Sequence, residues 1–497
     1  MSKWSLSGSR AGMESDDPAG EVEELPPLKI IVLGDFSGRG THRKAKQRGS
    51  GAIRPFLIDR DNLEQILQHF NVRLDDVPIE PNGALGSVAI DSLDDFHPDY
   101  LLQRVAPLKA IRELRKRLAD RATFADAMNE AKGLLQPPLA LREPEPAKHP
   151  LPTNSTKADD SGSLLDQMLE VAETGAQPPT RRVSEIERMA QSMMAAYSIP
   201  ADDPRQEPWL EAADQAAAFA IKQLIQHSRF RELEARWRSI DWLTRRVNSD
   251  VAVKIAVVDI SEQELRTDLD RENLAESALY ELLVARPKLH PGETTWKVIV
   301  VDERLGADIA DIELLGRLSQ IAADSNAQVL IGLTDEAVGV QPSNQPFIAD
   351  GFTEPTSAWQ SLRSHPDTQH ASALWPGFLL RQPYGKATSE VETLEVEELA
   401  GLDPQTTLLF GNSAYLAADQ LIRQREDEPT ATDVTGLPCV VLPDSQGTKK
   451  MIPVARWWLS PSATEHLAAL GITPVYPLPH AGALRVFPLK SVGSSSS

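Results

Sequence analysis

The sequence predicts an α/β protein built as two α/β units joined by a disordered, proline-rich linker. Three observations carry that prediction. Apolar, β-branched runs recur at residues 28–33, 251–258, 296–301 and 328–333, and each reads as a strand buried on both faces. Helical periodicity separates the later runs at lengths expected of βαβ units and a parallel sheet. From about Pro137 the composition turns to Pro, Ser, Asp and Lys, which cannot build a core.

A chain of 497 residues exceeds a single hydrophobic core. Its 41% hydrophobic and 25% charged residues are ordinary for a globular protein. With 51 Lys+Arg against 72 Asp+Glu the net charge is −21, which argues against binding nucleic acid or an anionic membrane. Cys439, the lone cysteine, excludes an intrachain disulfide and any multi-cysteine metal site. The N-terminus lacks an apolar signal region, and no run approaches the ~20 apolar residues needed to span a bilayer. A cytoplasmic protein with no membrane insertion is expected.

Residues 1–27 are Ser-, Gly- and acid-rich and read as a flexible arm. The first unit is expected at 28–136. It opens on the strand Leu28–Leu33 and a turn, Gly34-Asp35-Phe36-Ser37-Gly38. Thr41–Arg54 is basic and reads as a solvated loop or an anion-binding loop. Asp61 with Glu64 three residues on suggests a capping box, and Leu63, Ile66, Leu67 and Phe70 share one helical face. Pro98 suits the first turn of a helix, and Leu108, Ile111, Leu114 and Leu118 extend the helical pattern.

The linker is expected at 137–205. Within it an amphipathic helix near 163–172 groups Leu164, Leu165, Met168 and Leu169 on one face, capped by Ser163. Such an island either docks a partner or folds back on a neighbouring unit. The second unit is expected at 206–390. It starts with a long alanine-rich helix, then Phe230, Leu233, Trp237 and Ile240 on one helical face. A helical pattern over Ser261–Val284 and a helix over Ala307–Ala323 separate the strand runs. Residues 391–490 loosen into acidic turns and short strands around a helix at Pro461–Leu470 that ends on Gly471. Residues 491–497 read as a disordered tail.

The opening turn sits where α/β enzymes place phosphate loops and catalytic acids, yet the enzymatic templates fail. Arg39 stands five positions after Gly34, and Gly40-Thr41 brings no P-loop lysine. The third position of a dinucleotide fingerprint is Arg43, and Asp35 occupies the first glycine position of a nucleophile elbow. His365 and His370, five apart in a polar stretch, are a weak metal-ligand pattern. Asp35 and Asp302 remain possible strand-end carboxylates of an α/β enzyme. No catalytic, cofactor-binding or metal-binding residue is assigned, and no cofactor is expected.

The two units do resemble known proteins. Leu28–Arg39, Ile58–Leu63, Ser92–Asp99 (with Asp95, Phe96 and Pro98) and Leu114-Arg115 with Leu118 resemble the small subunit (TssB) of the type VI secretion contractile sheath. Phe230–Arg238, with Trp237-Arg238, resembles a helix of the large subunit (TssC), although Ser239 replaces the usual glycine. Ser277–Tyr280, Trp359–Arg363, Leu379–Gly385 (with Arg381, Pro383, Tyr384 and Gly385) and Gly411–Tyr415 continue that likeness. Asp302-Glu303-Arg304-Leu305 departs from the family's acid–aromatic motif, and Ser325–Val329 replaces another family run. The region after Ile472 is shorter than the family's usual C-terminal segment.

The resemblance implies a natural small–large fusion with phage tail-sheath-like units. It implies a structural, non-enzymatic subunit that polymerises around an Hcp-like inner tube on a baseplate and contracts to drive effector delivery. A sheath-derived accessory or regulatory component is the alternative. Implied partners are itself or other sheath subunits, and a ClpV-type AAA+ unfoldase that would dock on Leu164, Leu165, Met168 and Leu169. In this light the turn is structural, with Asp35 and Ser37 closing it and Gly34, Asp35 and Phe36 as family-motif residues.

Overall fold

The structure is a computed structural model that describes residues 27–41, 53–135, 203–247, 253–289, 295–343, 345–425, 433–443, 448–479 and 482–493. The N-terminal arm up to residue 26, most of the basic loop Thr41–Arg54, the expected amphipathic segment with Leu164, Leu165, Met168 and Leu169, and the end of the tail lie outside the described residues. The chain divides into two compact units, one of residues 1–109 with 217–497 and one of 110–216.

The larger unit is organised on a nine-stranded sheet. Its strands are β1 (Leu28–Gly34), β2 (Phe56–Ile58), β5 (Val253–Asp259), β6 (Val298–Leu305), β7 (Gln328–Leu333), β10 (Ala371–Trp375), β13 (Asp433–Val434), β16 (Ile472–Pro477) and β17 (Leu484–Val486). The intervening strands form two-stranded pairs: β3 (Arg73–Pro78) with β4 (Leu85–Ala89), β8 (Val340–Pro342) with β9 (Ala349–Phe352), β11 (Phe378–Leu379) with β12 (Phe410–Gly411), and β14 (Val440–Pro443) with β15 (Lys449–Ile452). The sheet order is β13-β17-β16-β10-β7-β6-β1-β5-β2. Strands β5 through β16 run parallel, and antiparallel strands close both edges.

The position of β1 departs from the expectation of two separately built units. Leu28–Gly34 pairs in parallel with Val253–Asp259 on one side, and Ile30–Leu33 with Val298–Val301 on the other. The consecutive strands β5 and β6 are therefore not neighbours, although their spacing suggested a simple βαβ unit. The reason is ladder satisfaction. A parallel strand at the centre of a sheet must hydrogen-bond on both edges, and here the first strand of the chain does so for two strands more than 200 residues later. The run is buried as expected, with Ile30, Ile31 and Val32 at 0% exposure.

Helices of this unit are α1 (Leu63–Phe70) and α2 (Pro98–Arg104), and the chain continues through α3 (Ala106–Ala119) and α4 (Phe124–Leu134). Next come α5 (Gln206–Gln226), α6 (Ser228–Thr244), α7 (Glu262–Leu269), α8 (Ile309–Ser325), α9 (Ser357–Arg363), α10 (Ala414–Arg425) and α11 (Pro461–Ala469). Leu265, Leu315, Trp359 and Leu467 pack with Ile31, Val258, Ile299 and Ile331 on one face of the sheet. Alternate strand residues such as Ile30, Val32 and Val300 lie on the opposite face, which α10 covers along β1, β6 and β7.

Two local expectations are corrected, and the weak histidine pattern is placed. The Asp61–Glu64 capping box does not form: Asn62 precedes α1 without a side-chain cap bond. Asp59 accepts the N–H groups of Asp61 and Asn62, both at 2.9 Å, so the preceding turn uses those donors. The helical pattern over Ser261–Val284 is broken after Leu269, because the Asp268 carboxylate accepts from Ala278 N and Leu279 N, each at 2.9 Å, and starts a new helical turn. His365 accepts from Asp367 N at 3.4 Å, and His370 Nδ1 lies 3.1 Å from the Ala327 carbonyl.

The smaller unit is helical. Leu114 and Leu118 of α3 pack with Phe124, Ala127, Met128 and Ala131 of α4 and with Trp209 and Ala213 of α5. Gln206 donates to the Leu118 and Ala119 carbonyls at 2.8 and 2.9 Å, satisfying acceptors at the end of α3.

Candidate functional site

The carboxyl ends of β1, β5 and β6 carry Asp35, Asp259, and Asp302 with Glu303. In an open parallel sheet this is where a ligand would sit. Here α6 lies over it instead. Arg236 donates from Nε to Asp302 at 2.6 Å, from Nη1 to the Asp35 carbonyl at 2.7 Å and from Nη2 to Glu303 at 2.9 Å. The planar guanidinium thus ties two strand ends together with a charge-assisted fork. Gly34 is required by this approach: a Cβ there would stand 2.9 Å from Asp302 Cβ and 3.2 Å from Arg236 Nε.

Asp302 is held from its other side as well. Tyr415 donates its hydroxyl to Asp302 at 2.7 Å, and Asn412 donates to the Asp302 carbonyl at 2.6 Å. Burial and the Asp302 carboxylate together push the Tyr415 phenol well above its usual range. Burial opposes the Arg236 charge, yet Asp302, Glu303 and Asp35 outweigh it and keep the guanidinium protonated. Burial pushes the Glu303 carboxyl up to about 7 although Arg236 opposes it; Asp302 adds to the rise.

The turn after β1 is closed by its own side chains. Asp35 accepts from Arg39 N at 3.0 Å and Gly40 N at 2.9 Å. Asp259 accepts from Ser37 N at 2.9 Å, and Arg39 pairs with both Asp259 and Glu264. Trp237 donates its indole N–H to the Phe36 carbonyl at 2.9 Å, and the two rings meet edge to face at 5.3 Å.

A second network lies along the other side of α6. Glu234, at 0% exposure, accepts from Arg238 and from Arg381, each at 2.7 Å. Arg381 also reaches Glu398 at 2.8 Å and lies 4.1 Å from the centre of the Tyr384 ring. Burial would raise the Glu234 carboxyl, but Arg381 and Arg238 outweigh it and hold it below its usual value. Burial pushes the Tyr384 phenol up to about 12, against the pull of Arg381. Tyr384 N donates to Glu398 at 2.8 Å, and the Tyr384 ring meets His97 edge to face at 5.0 Å. Thr388 closes the loop onto the Pro383 carbonyl at 2.6 Å, and a Cβ on Gly385 would come within 2.6 Å of Glu397.

Residues 209–481 match the family described as VipB: EvpB/VC_A0108, tail sheath N-terminal domain. That match spans more than half of the chain. The chain belongs to the VipB tail-sheath family. Residues 13–145 match a second family, Type VI secretion system, VipA, VC_A0107 or Hcp2. The chain is also similar to the type VI secretion system sheath protein TssC1 of Pseudomonas aeruginosa, 25% identical over 347 residues, or 65% of this chain and 68% of that protein. A VipA-like region therefore precedes a VipB-like region on one chain, and the role of the protein is structural, in a type VI secretion sheath. No helix among the described residues is long and apolar enough to cross a membrane.

In VipA and VipB terms, α6 of the VipB-matching residues bonds to the turn of the VipA-matching residues. Gly34, Asp35, Phe36 and Trp237 meet in the first network, while Arg238, Arg381, Pro383, Tyr384 and Gly385 meet in the second. Phe96 stacks edge to face with Phe230 of α6 at 5.5 Å. Asp95 closes a capping box with Ser92 and accepts from Arg104 at 2.7 Å, and Pro98 opens α2. Asp35 and Asp302, the candidate strand-end acids of an enzyme, spend their carboxylates on backbone N–H groups, Arg236 and Tyr415. Sequence reasoning missed Asp259 and Glu398. A carboxylate at each strand end was the only available signal for Asp259, and none marked Glu398.

Proposed function

We propose that this protein is a subunit of a contractile type VI secretion-like sheath, which polymerises with itself or other sheath subunits around an Hcp-like inner tube on a baseplate. One observation supports the reading above others. Strand β1 of the VipA-like region is the shared central strand between β5 and β6 of the VipB-like region. Covalent fusion makes intramolecular a pairing that would otherwise join two chains, and the effective concentration of the partners is then set by the connection rather than by expression level.

Contraction in this reading is a change of lattice. The extended lattice has fewer intersubunit contacts, and the difference is released over many subunits as they slide. The bonds from Arg236 and Trp237 to the β1 turn keep each subunit rigid during that movement. Regions 28–136 and 206–390 are the small- and large-subunit-like bodies, and 391–490 completes the second. Leu164, Leu165, Met168 and Leu169 dock a ClpV-type unfoldase that recycles the contracted polymer in the cytoplasm.

Electron microscopy of the purified full-length protein tests the reading. Tubules or rings are the expected result. Monodisperse particles, with or without an Hcp-like tube protein added, would remove polymerisation and leave an accessory component attached to a sheath built by others.

A further inference from the structure

One carboxylate clasps the VipA-like region to the VipB-like region beside α2. Asp99, of the VipA-matching residues, accepts at Oδ2 from Glu392 N at 3.1 Å and at Oδ1 from Thr393 N at 3.0 Å. The Thr393 hydroxyl donates to the same Oδ1. Glu392 and Thr393 belong to the VipB-matching residues. Three donors from the far end of the chain thus depend on a single ionised group.

His97 stands against this carboxylate. Its Nδ1 accepts from Asp99 N at 3.3 Å, so the neutral ring carries its proton on Nε2. The same Nδ1 lies 3.5 Å from Asp99 Oδ2, the oxygen that Glu392 N uses. The ring is held edge to face against Tyr384 at 5.0 Å and Tyr100 at 6.5 Å. Its side chain keeps 28% exposure and lines a cavity of about 540 Å³ together with Asp99, Tyr100 and Glu392. A proton from solvent therefore reaches it.

Charge faces His97 from each neighbouring element. Asp94 lies on the turn Leu93–Phe96, and Asp99 on α2. From α6 comes Arg238, paired with Glu234, and beside it Asp241 is paired with Arg245 of the residue following the helix. The stretch after β11 brings Tyr384, Glu390 and Glu392, with Arg381 paired to Glu234 and Glu398. Burial pulls the His97 imidazole below its ordinary value against Asp99; Arg238 and Arg381 add to the pull and Asp94 opposes it. Burial would raise the Asp99 carboxyl, but the bonds from Thr393 and Glu392 outweigh it and hold it below its usual value. On acidification His97 takes its proton before Asp99 does. The folded arrangement disfavours that proton, so acid weakens it.

We propose that His97 is a proton-operated release for this clasp: once protonated, Nδ1 no longer accepts from Asp99 N but donates to Asp99 Oδ2, in competition with Glu392 N. The neutral ring leaves the carboxylate to Glu392 and Thr393 and so holds residues 390–393 at α2. The switch acts on a joint within one chain. It goes beyond the sheath reading and does not depend on polymerisation.

Hydrogen–deuterium exchange of the full-length chain, corrected for intrinsic rates, tests it between about pH 8 and about pH 5. Protection of residues 390–393 should fall at least about tenfold on acidification across that range, with residues 30–33 of β1 unchanged. His97→Asn keeps a side-chain acceptor without a titrating group, and should stay protected at both ends. His97→Lys carries a fixed charge and no acceptor, and should be poorly protected at both ends. Constant protection in the wild type overturns the proposal, as does an equal fall in His97→Asn. An equal fall in β1 also overturns it, because acid would then be opening the whole sheet. If His97→Asn does not fold, His97→Gln, another neutral acceptor, is read in its place. The tubule assay is read separately, so failure of the switch leaves the sheath reading standing and the reverse also holds.

Discussion

Trp237 donates its indole N–H to the carbonyl of Phe36, a residue 201 positions earlier, at 2.9 Å. The bond joins α6 to the turn that ends the central strand, and the neighbouring Arg236 reinforces it through the Asp35 carbonyl. Truncation of Trp237 to Ala should therefore cost about 3–5 kcal/mol, as for a large buried aromatic. Trp237→Phe should cost less, about 1–2 kcal/mol, because mainly the hydrogen bond is lost. Urea unfolding midpoints of the two variants check this; equal effects would show that the bond contributes nothing beyond packing.

Removal of Arg236 should be more damaging than its single position suggests. Arg236→Met leaves Asp302 buried without its cation, with 8% side-chain exposure, and breaking such a pair costs about 3–5 kcal/mol. The double variant Arg236→Met with Asp302→Asn removes the stranded charge and should recover part of that loss. A midpoint for the double variant at or below that of Arg236→Met argues against an electrostatic origin.

Stability should fall with rising pH through Glu303. Its folded value of about 7 lies above the ordinary 4.5, so the folded state holds a proton that the unfolded state has released. The associated stabilisation is complete below pH 4.5 and is lost as pH rises through 7, by about 1–3 kcal/mol. Glu303→Gln should flatten this part of the stability profile between those limits. An unchanged slope in Glu303→Gln would assign the pH dependence elsewhere.

Ser239 stands where the family resemblance calls for glycine, and its hydroxyl is buried with no hydrogen-bond partner. An unsatisfied buried hydroxyl is a cost of about 1–3 kcal/mol. Ser239→Ala should then be neutral or stabilise by up to about 1 kcal/mol, read as a raised melting temperature. A clear loss would mean that the hydroxyl has a bond it lacks in this conformation.

For the proposed unfoldase contact, Leu165→Asp with Met168→Asp should abolish capture of a ClpV-type unfoldase in a pull-down with the full-length chain. Charges on one apolar face remove the surface that such a helix offers to a groove. Undiminished capture would place the contact elsewhere.

Much of the fold was legible locally. The runs at 28–33 and 328–333 are strands because β-branched residues without charges suit a sheet buried on both faces. Phe230, Leu233, Trp237 and Ile240 are all buried on α6, as their three- and four-residue spacing required. The capping of α1 was misread, since Asp59 and Asp61 both fit a helix start and only the backbone path decides between them. The strand-end acids were visible, but their partners were not.

By itself, then, the sequence determined which segments are strands and helices, which of their faces are apolar, and the resemblance to two sheath subunits, because each rests on residues close together in the chain. Only the tertiary structure decided that β1 lies between β5 and β6, and that Arg236 fills the place a ligand would take. The physical reason is the same for both. Backbone ladders and buried ion pairs are chosen by which unsatisfied groups meet in space, and a parallel strand or a guanidinium carries no local mark of a partner up to more than 200 residues away.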